Sequence, residues 1–203
     1  MSIAATPLVR PTLIDRVVTR SWVSDIALVV AGTALVAVLA QVAVPLWPVP
    51  VTGQTLAVLL VGASLGAVRG AVSLTLYALL GAIGLPIYSE ASSGWSVLVG
   101  PTGGYIIGFI ASAAIVGWAA ERSWDRGWFK PIVTFIGGSL VVFALGLPWL
   151  AIALGQFGLP NDLQSVLEAG FYPFIIGGLI KAGIAAALLP ALWAVADRSR
   201  RSE

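Results

Sequence analysis

With one exception, the charged residues of this chain are confined to the gaps between long apolar runs, and that spacing limits its possible folds more than any motif does. The runs cover residues 26–46, 51–67, 71–85, 102–120, 132–154 and 173–196. A helix rises about 1.5 Å per residue, so roughly 20 apolar residues cross a hydrocarbon core about 30 Å thick. Composition points the same way, with 59% apolar residues, 10% charged residues and a mean hydropathy of +0.99. A soluble domain devotes about a quarter of its residues to charge. The expectation is an all-α membrane protein of six transmembrane helices, forming a single membrane domain over residues 1–203. Within it, residues 1–24 form a cytoplasmic segment, 25–196 the bundle and 197–203 a cytoplasmic tail.

The second and third runs are short, and only Arg69 and Gly70 separate them, which predicts a tight hairpin there. Short spans imply loops that dip into the protein, and irregular backbone at that depth is tolerated where it lines a cavity. Ten of the eleven basic residues fall in alternate gaps: Arg10, Arg16 and Arg20; Arg69; Arg122, Arg126 and Lys130; Arg198, Arg200 and Arg201. The intervening gaps carry only Glu90, Asp162 and Glu168. Cytoplasmic loops collect lysine and arginine, so both termini are expected inside. Trp22, Trp118, Trp124, Trp128 and Trp193 then mark the inner interface, and Trp47, Trp95, Trp149 and Tyr172 the outer one. The stretch through Arg20 is polar and charged, so no cleaved signal peptide is expected.

Several chemistries are excluded. There is no cysteine and no histidine, and no acidic residue lies inside a span, so neither a metal site, a cofactor thiolate nor a carboxylate dyad can be assembled. The chain does not read as an enzyme. Its basic residues sit at helix ends and form no continuous stripe for nucleic acid.

The exception is Lys181, within IIGGLIKAGIAAALL of the last run. It lies about nine residues, roughly 13 Å, below Tyr172. A lysine at mid-depth costs about 2.5–3.5 kcal/mol on insertion scales. Either a loop carboxylate such as Glu90 reaches in to pair with it, or it faces an outward cavity and receives an anionic ligand group. Two loops supply the remaining walls. VPLWPVPVTGQT is held extended by Pro45, Pro48 and Pro50 and offers Trp47, Thr52 and Gln54, an aromatic face with a hydroxyl and an amide for a neutral, planar, polar ring. The second loop enters a helix at GPTGGY, where Gly103 permits close backbone approach and Tyr105 follows. Ala27 and Ala31, four apart on the first span, form a small-residue face suited to a partner helix.

PVTGQTLAVLLVGASLGAVRGAVSLTLYALLGAIGLPIY at residues 50–88, GPTGGYIIGF at 100–109 and FIIGGLIKAG at 174–183 together resemble the BioY family, over about residues 25–196. BioY proteins are biotin-binding S components of energy-coupling factor (ECF) transporters. The resemblance implies a six-helix S-component bundle in the prokaryotic inner membrane, capturing biotin from outside. It also implies assembly with a transmembrane coupling protein and two ATPase subunits. It places the ligand against Thr52, Gln54, Tyr105 and Lys181, and the coupling protein against Ala27 and Ala31. The family commonly carries an acid three residues before the lysine, where this chain has Gly178. Glu90, with Gln54 as the other choice, is the expected substitute acceptor for the ureido ring. A stand-alone secondary transporter and an S component for another small anionic vitamin are the alternative functions.

Overall fold

The computed structural model describes residues 12–125 and 129–199. Arg10, Arg126, Trp128, Arg200 and Arg201 of the charge and aromatic pattern lie outside the described residues. Among the described residues there are eight α-helices and one small hairpin: α1 (Trp22–Ala40), β1 (Ala43–Val44), β2 (Val51–Thr52), α2 (Gln54–Leu65), α3 (Ala67–Ala82), α4 (Trp95–Val99), α5 (Gly103–Ala120), α6 (Phe129–Gln156), α7 (Leu163–Gly170) and α8 (Tyr172–Ser199). Each expected apolar run contains a helix. α1, α5, α6 and the 172–191 part of α8 are long and apolar enough to cross a membrane, while α2 and α3 are shorter apolar helices.

α5 is the axis of the bundle. Two thirds of its apolar stretch is buried, against less than a third for α1, α6 and α8. Its close seam with α6 depends on missing side chains. A Cβ on Gly104 would sit 2.3 Å from that of Trp149, and one on Gly108 would sit 2.9 Å from the Val142 Cα. In lipid, such small-residue seams let helix backbones approach where the hydrophobic effect supplies no drive. α1 packs beside α3, where Thr33 Oγ1 donates to the Ser73 carbonyl at 2.9 Å. A capping box at Ser21 and Ser24 starts α1.

The break between the second and third helices lies elsewhere than expected. Gly66, with φ of +87°, ends α2 and opens α3, so Arg69 and Gly70 lie inside α3 rather than in a turn. Positive φ suits glycine, which has no Cβ to clash. Glu121 caps the new helix by accepting the Ala67 N–H at 2.9 Å. Arg69 remains helical because its charge is met at once: Nη2 donates to Asp15 Oδ1 at 2.5 Å, and Asp25 lies 3.6 Å from Nε. α1 also stops at Ala40, short of residue 46, because the following chain forms the antiparallel pair Ala43–Thr52 and Val44–Val51. α4 and α7 were not expected. α7 is started by Asp162, which accepts the Gln164 and Ser165 N–H groups.

Candidate functional site

Lys181 stands on α8 opposite the β2–α2 turn. Its ammonium donates to the Thr52 carbonyl and to Thr55 Oγ1, the latter at 3.1 Å. An ammonium has three donors, and among the described residues these two neutral acceptors are its only partners. The ion pairs found among the described residues belong to Arg69, not Lys181. Glu90 is exposed, in a left-handed backbone conformation with φ of 57°, and does not pair with Lys181. Around a Cβ built on Gly178 there is open space, with nothing within 4 Å.

Beside the ammonium lies a cavity between the β2–α2 turn, the 85–92 loop and helices α5, α6 and α8. Lys181, Thr52, Gln54 and Tyr105 all line it, so four of the expected residues converge. No aspartate or glutamate is among its lining residues. Three expected residues stand apart from it. Trp47 is 72% exposed at the tip of the 43–52 hairpin. Glu90 is exposed and not part of the lining, although its neighbours Tyr88 and Ser89 are. Gly103 serves a close approach of a different kind, because a Cβ there would strike the Leu98 carbonyl of α4 at 1.7 Å. Ala27 and Ala31 are both exposed on α1, away from this cavity.

The cavity sets a polar turn against a largely apolar wall with aromatic rings. On the turn, Thr52 Oγ1 donates to Gln54 Oε1 at 2.7 Å and accepts the Gln54 backbone N–H at 3.2 Å. Both side chains are 7% exposed, and buried polar atoms of this sort are held in place by the cost of leaving them unpaired. Opposite, Tyr105 stacks on Phe174 with centroids 6.1 Å apart, and Phe143 meets both edge-on. The Tyr105 hydroxyl donates to the Gly170 carbonyl at 2.9 Å, which fixes the ring. Tyr88, from the 85–92 loop, donates to the Ala78 carbonyl. Burial pushes its phenol up to about 12, so it remains a neutral donor.

Sequence reasoning missed Thr55, Phe143 and Phe174. Thr55 follows Gln54 directly and could have been inferred from its place in the first turn of α2. For the two phenylalanines no sequence signal existed, since cavity walls and lipid-facing surfaces use the same residue. Such a site can hold an amphipathic anion: a charged end at Lys181, hydrogen-bonding atoms at the turn and a flat body against the rings.

A sequence model of the BioY family matches residues 10–198. The chain is similar to "Biotin transporter BioY" of Thermotoga maritima, with 38% identity over 76% of this chain and 86% of that protein. "Biotin transporter BioY2" of Lactococcus lactis is 37% identical over 78% of this chain and 84% of that one. Among solved structures, the crystal structure at 2.1 Å of the S-component for biotin from an ECF-type ABC transporter superposes with a TM-score of 0.72. It is 26% identical and covers 84% of this chain and 90% of its own.

Proposed function

The chain belongs to the BioY family, and from that premise we propose that it is the biotin-capturing membrane subunit of an ECF-type uptake transporter and not an enzyme. The observation that carries this reading is the Lys181 ammonium, held by two neutral oxygens beside a cavity with no carboxylate in its lining. A charge housed this way is neutralised by a guest. Lys181 receives the valerate carboxylate of biotin. Gln54, assisted by Thr52, meets the ureido ring, and Tyr105 with Phe143 and Phe174 packs on its apolar body. The exposure of Glu90 favours Gln54 over it as the ureido partner.

In this reading α1, α2, α3, α5, α6 and α8 are the six membrane-spanning helices, with both termini on the cytoplasmic side of a prokaryotic inner membrane. The 43–52 hairpin and the 85–94 loop then face outward, as capture from outside requires. Ala27 and Ala31 are free to contact the coupling protein, which links the subunit to two ATPases. A self-sufficient ion-coupled transporter fits less well, because ion coupling calls for carboxylates in the bundle beside the ligand.

Calorimetric titration of biotin into the purified chain tests the proposal. Tight binding is expected, and Lys181→Ala should weaken it by roughly 100-fold, the scale of losing about 3 kcal/mol from a desolvated charge contact. A wild-type chain that ignores biotin, or an alanine variant with unchanged affinity, would contradict it.

A further inference from the structure

Tyr77 lies behind the cavity rather than in its wall. It is fully buried on α3 and its hydroxyl joins two hydrogen bonds: Gln54 Nε2 donates to it at 2.5 Å, and it donates to the Ile87 carbonyl at 3.2 Å. A carbonyl can only accept. The single phenolic proton is therefore committed to Ile87, and the phenolic oxygen must receive the Gln54 N–H. This fixes the sense of the carboxamide, with its amino group toward Tyr77 and Oε1 toward the Thr52 hydroxyl. Nothing else nearby imposes that choice. If the amide turned over, Thr52 could accept from the amino group instead of donating to Oε1, since a hydroxyl serves either role. The two orientations of a carboxamide have nearly the same shape and are distinguished by their hydrogen-bond partners.

We propose that Tyr77 is a positioning residue for ligand capture: it fixes which side of the Gln54 carboxamide offers an acceptor to the cavity. A ureido ring carries N–H donors and a C=O acceptor in a set arrangement, so a reversed amide would meet donor with donor. This inference rests on the biotin reading given above. The same hydroxyl joins the Gln54 turn to the 85–92 loop, but it is not that loop's main anchor. Gln41 donates to the Tyr88 carbonyl at 3.0 Å and accepts the Ala91 N–H at 2.9 Å, and the Tyr88 hydroxyl holds the Ala78 carbonyl. Loss of the Tyr77 hydroxyl therefore acts on the amide and leaves the loop tied down.

A double-mutant cycle on the full chain, read by biotin calorimetry, separates positioning from packing. Tyr77→Phe should weaken biotin about tenfold in the wild-type background, near 1.4 kcal/mol. It should have no further effect when added to Gln54→Ala. Gln41→Leu, which loosens the loop and removes a 3.4 Å contact to the Ile87 carbonyl while leaving that carbonyl to Tyr77, should stay within about threefold of wild type. The proposal fails if Tyr77→Phe keeps wild-type affinity, or if it costs the same factor with and without Gln54. Should Tyr77→Phe not fold, Tyr77→Met takes its place in the same cycle, because it also lacks the hydroxyl while filling the buried site; wild-type affinity there also overturns the proposal. A wild-type chain that does not bind biotin defeats the functional reading and this inference together, whereas binding with independent variants defeats the inference alone.

Discussion

Among the described residues, the cations Arg69 and Lys181 lie inside this bundle, and the protein houses them in opposite ways. Arg69, at the end where the acidic residues Asp15, Asp25 and Glu121 gather, is met by two carboxylates. Lys181, at the end closed by the 43–52 hairpin, is met by a carbonyl and a hydroxyl. Removing a charge from water costs several kcal/mol per ion, and only a close counter-charge with good hydrogen bonds offsets it. Arg69 has that offset within the chain, so its role is complete when the chain folds. Among the described residues Lys181 lacks it, and in the function proposed above its role is completed by binding. A buried charge reports function when its neutralising partner is absent from the protein, and structure when the partner is present.

The largest expected effect tests that division directly. Arg69→Met should lower stability by about 3 kcal/mol, because it leaves the Asp15 carboxylate half-desolvated and unpaired. Biotin affinity should change by less than about threefold, since distant sites act independently. Lys181→Met should do the reverse, abolishing tight binding while leaving the apo melting temperature equal or higher. Thermal unfolding in detergent alongside calorimetry checks both, and the distinction collapses if Lys181→Met destabilises the apo chain as much as Arg69→Met.

A smaller effect appears with pH. Burial alone would raise the Asp15 pKa, but the hydrogen bonds from Arg69 and Thr12 outweigh it and hold the carboxyl below its ordinary 3.8. A carboxyl with a lowered folded value contributes its full stability above the unfolded value near 3.9 and loses it as pH falls through the folded one. The melting temperature should therefore drop below about pH 4. Asp15→Asn should lower it at neutral pH and flatten that drop; an acid limb unchanged in the variant would assign the sensitivity to other carboxyls.

This contrast also explains what could be read from the sequence. The six apolar helices were legible because hydropathy is a local property. Lys181 was legible because an isolated cation in a long apolar run has no local explanation. The helix junction at Gly66 was not, because Arg69 looks like a loop residue until Asp15, 54 positions away, is seen to neutralise it. The aromatic wall was equally hidden. Phe143 and Phe174 face the cavity by virtue of how α6 and α8 pack against α5, and nothing in their own neighbourhoods distinguishes them from Phe157, which is 62% exposed. Tyr77 escaped notice because its significance lies in a proton's direction, which depends on three segments meeting. Local chemistry was readable, and complementarity between distant segments was not.

The smallest expected effect concerns the two loop residues that sequence alone made attractive. Trp47 and Glu90 flank the cavity on its two covering loops, yet both are exposed and neither joins its lining. Groups that stay hydrated gain little from a ligand, and surface changes usually fall within about 0.5 kcal/mol. Trp47→Ala and Glu90→Gln should each shift biotin affinity by no more than about twofold, against about tenfold or more for Gln54→Ala. A Glu90→Gln loss greater than tenfold would mean that the 85–92 loop closes over the bound ligand and brings a carboxylate to it. Lys181 would then have a protein counter-charge in the bound state after all, and the two cations would differ in when they are neutralised rather than by what.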